Sequence, residues 1–552
     1  MRISITALLS LAFLLNQAQS MRVTLDNTNN PNEPSIALHP ITKTIVAASN
    51  INNFYVESIG SNSFSKTIST SPLGVYGDPV LHYSDTTLYF AHLAKAPKKE
   101  YGAWFDRIVV QKIMDPYNWK EKSYSVGYNG NKMQDKPWLS SDNHSAEYNG
   151  NLYVTWTEFD KYGSDNQADR SRIRFSKYDL KSDSFSTAIT ISDTTGDCLD
   201  SDNTLEGATS AVGKNGEIYA VWAGYESIWI DKSSDGGVTW GKDQIIAFQP
   251  GGWDMDMPHI MRANGMPFIA SDTVKDIQYV TWADEFNGNA DVWLIYSKDQ
   301  GNTWSERINV SKDTADGHQY FPNLTIDQKS GEVFIAFYDF SESPQSVFYK
   351  LAISKYVLGN DFQSSFLNQN PIPLPGKNVF YGDYLDIDAQ DGEVVTVYTS
   401  NNVNNETSIE MSRISNHSIC KEVINAKTAF NNIALLDEAD SLSLWINTIS
   451  PSKVSYKIKV KYQDKKVKLY KGSSLYEAKN QPEDNFIVSL KKPKKACILK
   501  IKIIELVMTM KNFAIQIPMK MTNFFVGRQE IIKRQRKQKR WRKRKRKRKR
   551  TM

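Results

Sequence analysis

The most regular feature of this chain is a pair of short apolar runs, joined by a polar turn, that recurs seven times. Most copies begin with a small or acidic residue, often with a proline beside it, and most second runs include or end near an aromatic residue. Apolar and polar positions that alternate between turn residues predict β-strands. The copies lie at 33–38 with 45–48, 78–81 with 88–91, 136–139 with 152–156, 207–212 with 218–222, 257–260 with 278–282, 321–326 with 333–337, and 383–387 with 394–398.

The spacing of these copies indicates how the strands are grouped. Successive copies begin 45 to 71 residues apart, which is enough chain for one four-stranded sheet each. The pattern therefore predicts an all-β fold, a β-propeller with seven blades, or six if one pair is misassigned. An open ring would expose two sheet edges, so we expect residues 22–25 to supply the missing strand beside residues 408–414.

The two ends of the chain differ from this repeat. Residues 1–20 have the charged start, apolar run and small residues of a signal peptide, which predicts a secreted or cell-surface protein. This apolar run is too short to span a bilayer, and no other apolar segment of the chain is long enough either. The predicted domains are the propeller at 21–425, a small β-sandwich-like domain at 431–500, and a poorly defined segment with a disordered, basic, low-complexity tail at 501–552.

The charge and the cysteines narrow the class of protein. The formal net charge of +6 comes from the run of Lys and Arg at 533–550, and the rest of the chain is acidic. Nucleic acid is not an expected partner, because a signal peptide directs the chain away from the cytosol. Three cysteines, Cys198, Cys420 and Cys497, allow one disulfide at most, so they form no disulfide framework. We expect a monomer.

Residues 233–240 and 297–304 share the pattern S-x-D-x-G-x-T-W. An aspartate in such a turn bonds its own backbone, a glycine supplies a positive φ, and a tryptophan packs the turn onto the sheet. Both copies follow a strand-like run and belong at the outer turns of their blades, so we interpret them as structural.

These two motifs resemble the Asp boxes, or BNR repeats, of secreted bacterial sialidase-like β-propellers. The resemblance covers about residues 32–414, and it also rests on the segments 32–37, 135–138, 196–207, 250–256 and 380–384. It implies a propeller of the sialidase superfamily that acts on glycans or glycoproteins, as an exo-α-sialidase-like glycoside hydrolase.

The residues that such a sialidase needs are not evident here. Sialidases of this family bind the substrate carboxylate with three arginines. Arginine suits this role because its planar guanidinium binds a carboxylate through two hydrogen bonds. The family also carries an Arg-Ile-Pro segment, which this chain lacks. Arg172, Arg174 and Arg307 are predicted on outer strands, and only Arg262 is expected near an inner one. Two functions stay open: a secreted glycosidase, or a non-catalytic propeller that binds glycans or protein at the cell surface.

Candidate site residues follow from the geometry of a propeller, in which the loops that enter the innermost strands converge at one face. Carboxylates there can transfer protons or accept sugar hydroxyls, and aromatic rings can stack on pyranose faces. The catalytic candidates are Asp202, Glu206, Asp254, Asp256 and Asp383. The substrate-binding candidates are Arg262, Trp253, Tyr381, His318 and Asp78, with Arg262 suited to an anionic group.

One loop carries a candidate metal site. Asp197, Asp200 and Asp202 place three carboxylates within six residues, and such crowding requires a cation, a shared proton or open water. Oxygen ligands alone favour Ca²⁺ over zinc, so a possible calcium ion is the only cofactor expected. A solvated acidic loop is the alternative.

Overall fold

A computed structural model gives the fold. It describes residues 21–58, 63–96, 105–255, 257, 260–311, 317–340, 348–367 and 372–415, and seven strands between residues 432 and 517. The chain divides into two units, of which one is Met21–Ile414 and the other contains the strands after Ser415. Each unit is described separately.

The first unit is a ring of seven antiparallel blades. The strand β1 (Met21–Asp26) precedes three blades: β2 (Pro34–Leu38), β3 (Ile45–Ser49), β4 (Asn53–Glu57) and β5 (Phe64–Ile68); β6 (Val80–Ser84), β7 (Thr87–Ala94), β8 (Arg107–Asp115) and β9 (Lys120–Val126); and β10 (Met133–Ser141), β11 (Leu152–Phe159) and β12 (Ser171–Asp179), with the short β13 (Ser184–Phe185) and β14 (Ile189–Thr190).

Four further blades complete the ring. They are β15 (Glu206–Val212), β16 (Ile218–Gly224), β17 (Ser227–Ser233) and β18 (Gln244–Phe248); β21 (Phe268–Asp272), β22 (Ile277–Asp284), β23 (Asp291–Ser297) and β24 (Ile308–Asn309); β25 (Gln319–Asp327), β26 (Glu332–Asp339), β27 (Phe348–Tyr356) and β28 (Gln363–Phe366), with β29 (Ile372–Pro373); and β30 (Asp386–Gln390), β31 (Glu393–Asn401) and β32 (Thr407–Ser415) with β1. A separate two-stranded pair, β19 (Asp254–Met255) and β20 (Ala263–Asn264), precedes the fifth blade.

The ring closes through the strand at its start. β1 pairs antiparallel with β32, with Met21 opposite Arg413 and Val23 opposite Met411. Each innermost strand contacts the innermost strands of both neighbouring blades, including β30 with β2. The seven blades and the predicted closure by residues 22–25 are therefore confirmed, and the six-bladed alternative is wrong.

One strand assignment from the sequence is wrong. Residues 257–260 were predicted as the first run of the fifth copy, but the innermost strand of that blade is β21, which begins at Phe268 and pairs with β22. The pair β19–β20 is inserted ahead of it. The apolar residues around Met257, in the same insertion, have a pattern similar to that of the repeat.

The blades pack through aromatic residues on their second strands. Trp156, Trp222 and Trp282 are fully buried, as are Tyr153, Tyr219 and Tyr279, each three positions earlier. Because alternate strand residues face opposite sides, an odd separation places the two rings on different faces of the blade. Trp156 joins the core shared with the second blade, and Tyr153 joins the core shared with the fourth.

The second unit contains two sheets. One has the order β33 (Asn432–Asp437), β34 (Ser441–Asn447) and β37 (Asn485–Lys491), and the other has β36 (Val467–Leu475), β35 (Lys453–Tyr462), β38 (Ile498–Met510) and β39 (Phe513–Ile517). β38 runs across residue 500, where the predicted β-domain ends. The proposed signal peptide, Cys420, Cys497 and the basic tail lie outside the described residues. In the part that is described, no helix is long and apolar enough to span a bilayer.

Candidate functional site

Four of the innermost strands contain, or begin just after, a residue in the same unusual backbone conformation. Glu33, Asp78, Lys136 and Phe321 each have φ between 48° and 50°, and each is followed by a proline. Residues other than glycine rarely adopt positive φ, and the residue before proline normally stays extended. Such a backbone persists only where the surrounding structure holds it, and three of these four residues have ionisable side chains that belong to one cluster.

Lys136 lies at the centre of this group. Its Nζ is 2.9 Å from Asp383, 3.3 Å from Glu206 and 3.6 Å from Asp135, and only 4% of its side chain is exposed. A bulge between Asp135 and Trp138 interrupts the alternation of side chains. This allows Asp135 and Lys136, although adjacent in sequence, to contact each other.

Arg262 is the second cation of the group. Its Nε donates to Asp383 Oδ1 at 2.9 Å, its Nη2 donates to Asp383 Oδ2, and its Nη1 donates to Asp200 Oδ2 at 3.1 Å. The guanidinium also lies 5.3 Å from the centre of the Phe380 ring. Since 32% of its side chain is exposed, Arg262 is the cation of the group that reaches the surface.

Glu33 and Asp78 bring the first two blades into contact with the same group. Glu33 Oε1 accepts a hydrogen bond from the Asp383 amide at 3.0 Å, and Asp78 Oδ2 accepts one from the Lys136 amide at 3.2 Å. Asn50 also donates to Glu33. We call the whole group the axial cluster; its members are Glu33, Asp78, Asp135, Lys136, Asp200, Glu206, Arg262 and Asp383.

Two carboxyls of the axial cluster are held in the ionised form. Burial alone would raise the pKa of Asp383, but Lys136 and Arg262 outweigh it and hold this pKa at about 2. The same two cations lower the pKa of Asp200 against its burial, assisted by hydrogen bonds from neighbouring side chains. Asp200 and Asp383 therefore balance the charges of Lys136 and Arg262.

The other four carboxyls have pKa values raised above their usual range. Burial, followed by repulsion from neighbouring carboxylates, raises the pKa of Glu33 and of Asp78 to about 7. Burial raises the pKa of Asp135 to about 8, although Lys136 opposes this. Burial and the nearby Asp200 charge raise the pKa of Glu206 well above its usual range.

Glu206 is the most enclosed of these acids. Its side chain has no exposed surface, and neither of its oxygens has a well-oriented hydrogen bond within the described residues. Without such partners, burial raises the free energy of the ionised carboxylate much more than that of the protonated carboxyl. The cluster thus places a buried acid beside the ionised Asp200, and neighbouring carboxyls with opposed pKa shifts are the arrangement that acid–base catalysis requires.

The surface above the cluster is a mixture of polar and apolar side chains. Asp200 is 16% exposed, and it accepts hydrogen bonds from Tyr162 Oη and Trp253 Nε1, both at 2.7 Å. Leu199 and Met261, neighbours in sequence of Asp200 and Arg262, are about half exposed. A ligand at this face would meet Asp200 and Arg262 first.

The structure brings together only some of the predicted catalytic residues. Glu206 and Asp383 both contact Lys136 Nζ. Asp202 instead accepts a hydrogen bond from the Asp254 amide at 3.1 Å, and the Asp254 side chain is exposed. Asp256 lies outside the described residues.

The predicted substrate-binding residues are likewise divided. Asp78 and Arg262 belong to the axial cluster, and Trp253 supports it through Asp200. Tyr381 is buried and its hydroxyl donates to Asn401, so its ring is not available to a sugar. His318 Nδ1 accepts from the Ala290 amide at 3.3 Å, between the fifth and sixth blades.

The three aspartates of the predicted calcium loop have different partners. Asp197 accepts from the hydroxyls of Ser201 and Thr204 and from the Leu199 amide, which is the pattern of a turn-stabilising aspartate. Asp200 belongs to the axial cluster, and Asp202 contacts Asp254. Within the described ranges, no three acidic, histidine or cysteine side chains are arranged to hold a metal ion, so the structure does not bring this calcium site together.

The two S-x-D-x-G-x-T-W turns have the geometry that the sequence predicts. Asp235 accepts from the amide and hydroxyl of Thr239, at 2.9 and 2.6 Å. Asp299 accepts from Thr303 in the same way, at 2.9 and 2.6 Å. Both turns follow the third strand of their blade, at the periphery, and the described geometry gives them a structural role.

The predicted outer arginines are peripheral as expected. Arg172 pairs with Glu158 and Asp160, Arg174 donates to Thr190 beside the outermost strand of its blade, and Arg307 donates to the Phe248 carbonyl.

Sequence reasoning missed Lys136, Glu33 and Tyr162 as site residues. A signal for the first two was present, since both stand directly before a proline in or beside an innermost strand, as Asp78 does. Tyr162 has no such signal, because it lies in the loop between β11 and β12 and reaches Asp200 only through the fold.

Comparisons with known proteins give distant structural similarities. One is a fungal alcohol oxidase in complex with copper, with 9% identity and a TM-score of 0.44 over 92% of this chain and 100% of that chain. Another is a Penicillium chrysogenum α-L-arabinanase with arabinobiose, with 12% identity and a TM-score of 0.38 over 72% of this chain and 98% of that chain. A Trypanosoma rangeli sialidase with the inhibitor DANA has 11% identity and a TM-score of 0.37 over 93% of this chain and 91% of that chain. No protein-family model and no curated protein matches the chain. The seven-bladed assignment rests on the strand pairings, and membership of the Asp-box family stays a prediction.

Proposed function

We propose that this propeller is a glycosidase and that the axial cluster is its active site. The observation that carries the proposal is the adjacency of an ionised carboxylate, Asp200, to protonated carboxyls, Glu206 and Asp135, at the face where the innermost strands begin. Hydrolysis of a glycosidic bond uses such a pair, in which one carboxyl protonates the leaving oxygen and the other stabilises the sugar cation or activates a nucleophile.

In this proposal the groups differ in role according to their exposure. Asp200 reaches the surface, so it is the carboxylate that meets the sugar. Asp135, whose side chain is 8% exposed, donates the proton to the leaving oxygen, and the enclosed Glu206 lies behind it. Lys136 and Arg262 keep Asp200 ionised. Tyr162 and Trp253 fix the Asp200 carboxylate through hydrogen bonds to its two different oxygens. As part of this proposal, residues 1–20 direct the protein to the cell exterior, where glycans are encountered.

A second function is favoured by one observation. Glu206 and Asp383 are almost completely buried and pair with Lys136. Such buried ion pairs could serve only to hold the loops of a binding face in place. A non-catalytic propeller that binds glycans or glycoproteins is therefore the alternative.

One experiment separates the two functions. The purified protein is incubated with a panel of neutral and acidic oligosaccharides, and both bound glycan and released sugar are measured. Release that falls by about 10²–10⁴ in Asp200→Asn or Asp135→Asn is expected for a glycosidase, with folding checked by circular dichroism. Asp235→Asn, in a peripheral turn, is the control and retains activity. Binding without release identifies the non-catalytic alternative, and neither binding nor release overturns the proposal.

A further inference from the structure

The two cations of the axial cluster are already occupied. Each of the three nitrogens of Arg262 donates to a carboxylate of the protein. Recognition of a ligand carboxylate by arginine normally uses two parallel N–H groups of the planar fork. Asp383 already takes the parallel pair on the Nε and Nη2 side of Arg262, so a ligand carboxylate that uses this pair must displace Asp383.

Lys136 cannot take over this task. Its ammonium is surrounded by Asp135, Glu206 and Asp383, and 96% of its side chain is inaccessible to solvent. The basic residues at the same end of the third blade are engaged too, since Lys132, Arg172 and Arg174 pair with Glu158 and Asp160. No cation of the described axial cluster is left without a carboxylate partner.

The balance of charge at the face is neutral or negative. Two ionised carboxylates match the two cations, and four more carboxyls stand around them. Any further ionisation adds negative charge without adding a cation.

We propose that the axial face selects glycans without negative charge and rejects acidic sugars. This inference rests on the proposed function and names its substrate class. An uncharged sugar can donate its hydroxyl hydrogens to Asp200 and leave the Arg262 pairs intact. A sugar that carries a carboxylate must approach Asp200, or displace it from Arg262, and either route brings like charges together. Rejection by like charge is a means of specificity distinct from attractive contacts.

The test uses matched pairs of oligosaccharides that differ only in one carboxyl group: a glucuronic acid and the corresponding glucose, and a sialic acid and its methyl ester. Binding to the full-length protein is measured by titration calorimetry at low salt. We expect the uncharged member of each pair to bind at least about tenfold more tightly, a difference of about 1.4 kcal/mol. Raising the salt from about 0.01 M to about 1 M should narrow the ratio, because the Debye length falls from about 30 Å to about 3 Å.

A charge variant and its control make the test specific. Asp200→Asn removes the exposed carboxylate and frees one donor of Arg262, so the preference for the uncharged member should shrink by at least about threefold. Asp165→Asn removes a charge from an exposed loop of the third blade and should leave the preference unchanged.

The outcomes distinguish this inference from the proposed function. Equal or tighter binding of the acidic member overturns the inference while leaving a glycan-acting propeller intact. A preference that is the same in Asp200→Asn as in the unaltered protein also overturns it, because the discrimination then arises elsewhere. If neither member of any pair binds, the proposed function fails and the inference falls with it.

Discussion

The Lys136 ammonium lies 2.9 Å from the Asp383 carboxylate, and this contact joins the third blade to the seventh across the axis of the ring. Together with Glu33, Asp78, Glu206 and Arg262, the pair connects six of the seven blades through their innermost loops. The axial cluster therefore links non-adjacent blades and is also the candidate site.

Removing Lys136 should destabilise the fold strongly. Lys136→Met leaves buried carboxylates without their cation, and breaking one partner of a buried ion pair costs about 3–5 kcal/mol. The free energy of unfolding is measured by denaturant titration. Lys329→Met is the control, because Lys329 pairs with Asp391 at 3.2 Å while 71% exposed, and exposed pairs contribute about 0–1 kcal/mol.

A double-mutant cycle with Asp383→Asn isolates the pair itself. We expect the two substitutions to be non-additive by at least about 1 kcal/mol, since residues in one buried network couple by about 0.5–3 kcal/mol. Additive effects would mean that Lys136 acts through its other carboxyl neighbours. If Lys136→Met lowers the free energy of unfolding as little as the Lys329 control does, the axial cluster does not link the blades.

The strand that closes the ring should be essential to stability. A protein that begins at residue 27 lacks β1, so the edge of β32 is exposed and the Arg22–Glu410 ion pair at 2.8 Å is lost. Val23 and Leu25 also pack on the core between the first and seventh blades. With ladder hydrogen bonds at about 0.5–1.5 kcal/mol each, the loss should be at least about 3 kcal/mol relative to a protein that begins at residue 21.

Thermal unfolding followed by circular dichroism measures this effect, and the point variant Glu410→Gln serves as a control. It removes the charge of the pair but keeps the strand, so its melting temperature should fall much less. Equal melting of the proteins that begin at 21 and 27 would show that β1 does not close the ring in solution.

The sequence predicted the ring better than the site. Seven repeated strand pairs predict the seven blades, and one strand without a partner predicts how the ring closes. Both predictions need only the local alternation of apolar and polar residues and the number of strands. The axial cluster depends on which loops meet, and Lys136 looks like an ordinary surface lysine until its proline-linked turn is aligned with Glu33 and Asp78. Asp197 and Asp200 were grouped because they are close in sequence, but the first stabilises its own turn and the second reaches Arg262.

The two peripheral turns should affect stability and leave glycan chemistry unchanged. Asp235→Ala and Asp299→Ala each remove an acceptor for backbone and hydroxyl donors, and loss of a comparable capping residue costs about 0.5–2 kcal/mol. These hydrogen bonds also lower the pKa of both aspartates to about 2, against burial in the case of Asp235. Their stabilisation is therefore present above about pH 4 and is lost as the pH falls through about 2.

Denaturant titrations of both variants at neutral pH, with the glycan assay run in parallel, check this prediction. Asp235→Asn keeps one acceptor oxygen, so it should lose less stability than Asp235→Ala. A loss of glycan release or binding in stably folded Asp235→Ala would place this turn at the site and contradict its structural role.

The protonated carboxyls of the axial cluster should make stability fall as the pH rises. Burial and neighbouring carboxylates raise the pKa of Asp78 to about 7, whereas in the unfolded chain it is about 4. The folded protein thus keeps a proton that the unfolded chain releases. The contribution of Asp78 is most favourable below about pH 4, and it declines up to about pH 7 by at most about 1.4 kcal/mol per pH unit.

Asp78→Asn isolates this contribution because asparagine imitates the protonated acid at every pH. The variant should gain stability relative to the unaltered protein as the pH rises from 5 to 7. The difference between the two proteins is the quantity to measure, since buried His82 and His92, whose pKa values burial lowers to about 4, give an opposing slope below about pH 6.5 in both. Asp165→Asn, on an exposed loop, should show no such trend. If the difference for Asp78→Asn is constant with pH, Asp78 is ionised in the folded protein and the cluster carries more negative charge than its burial implies.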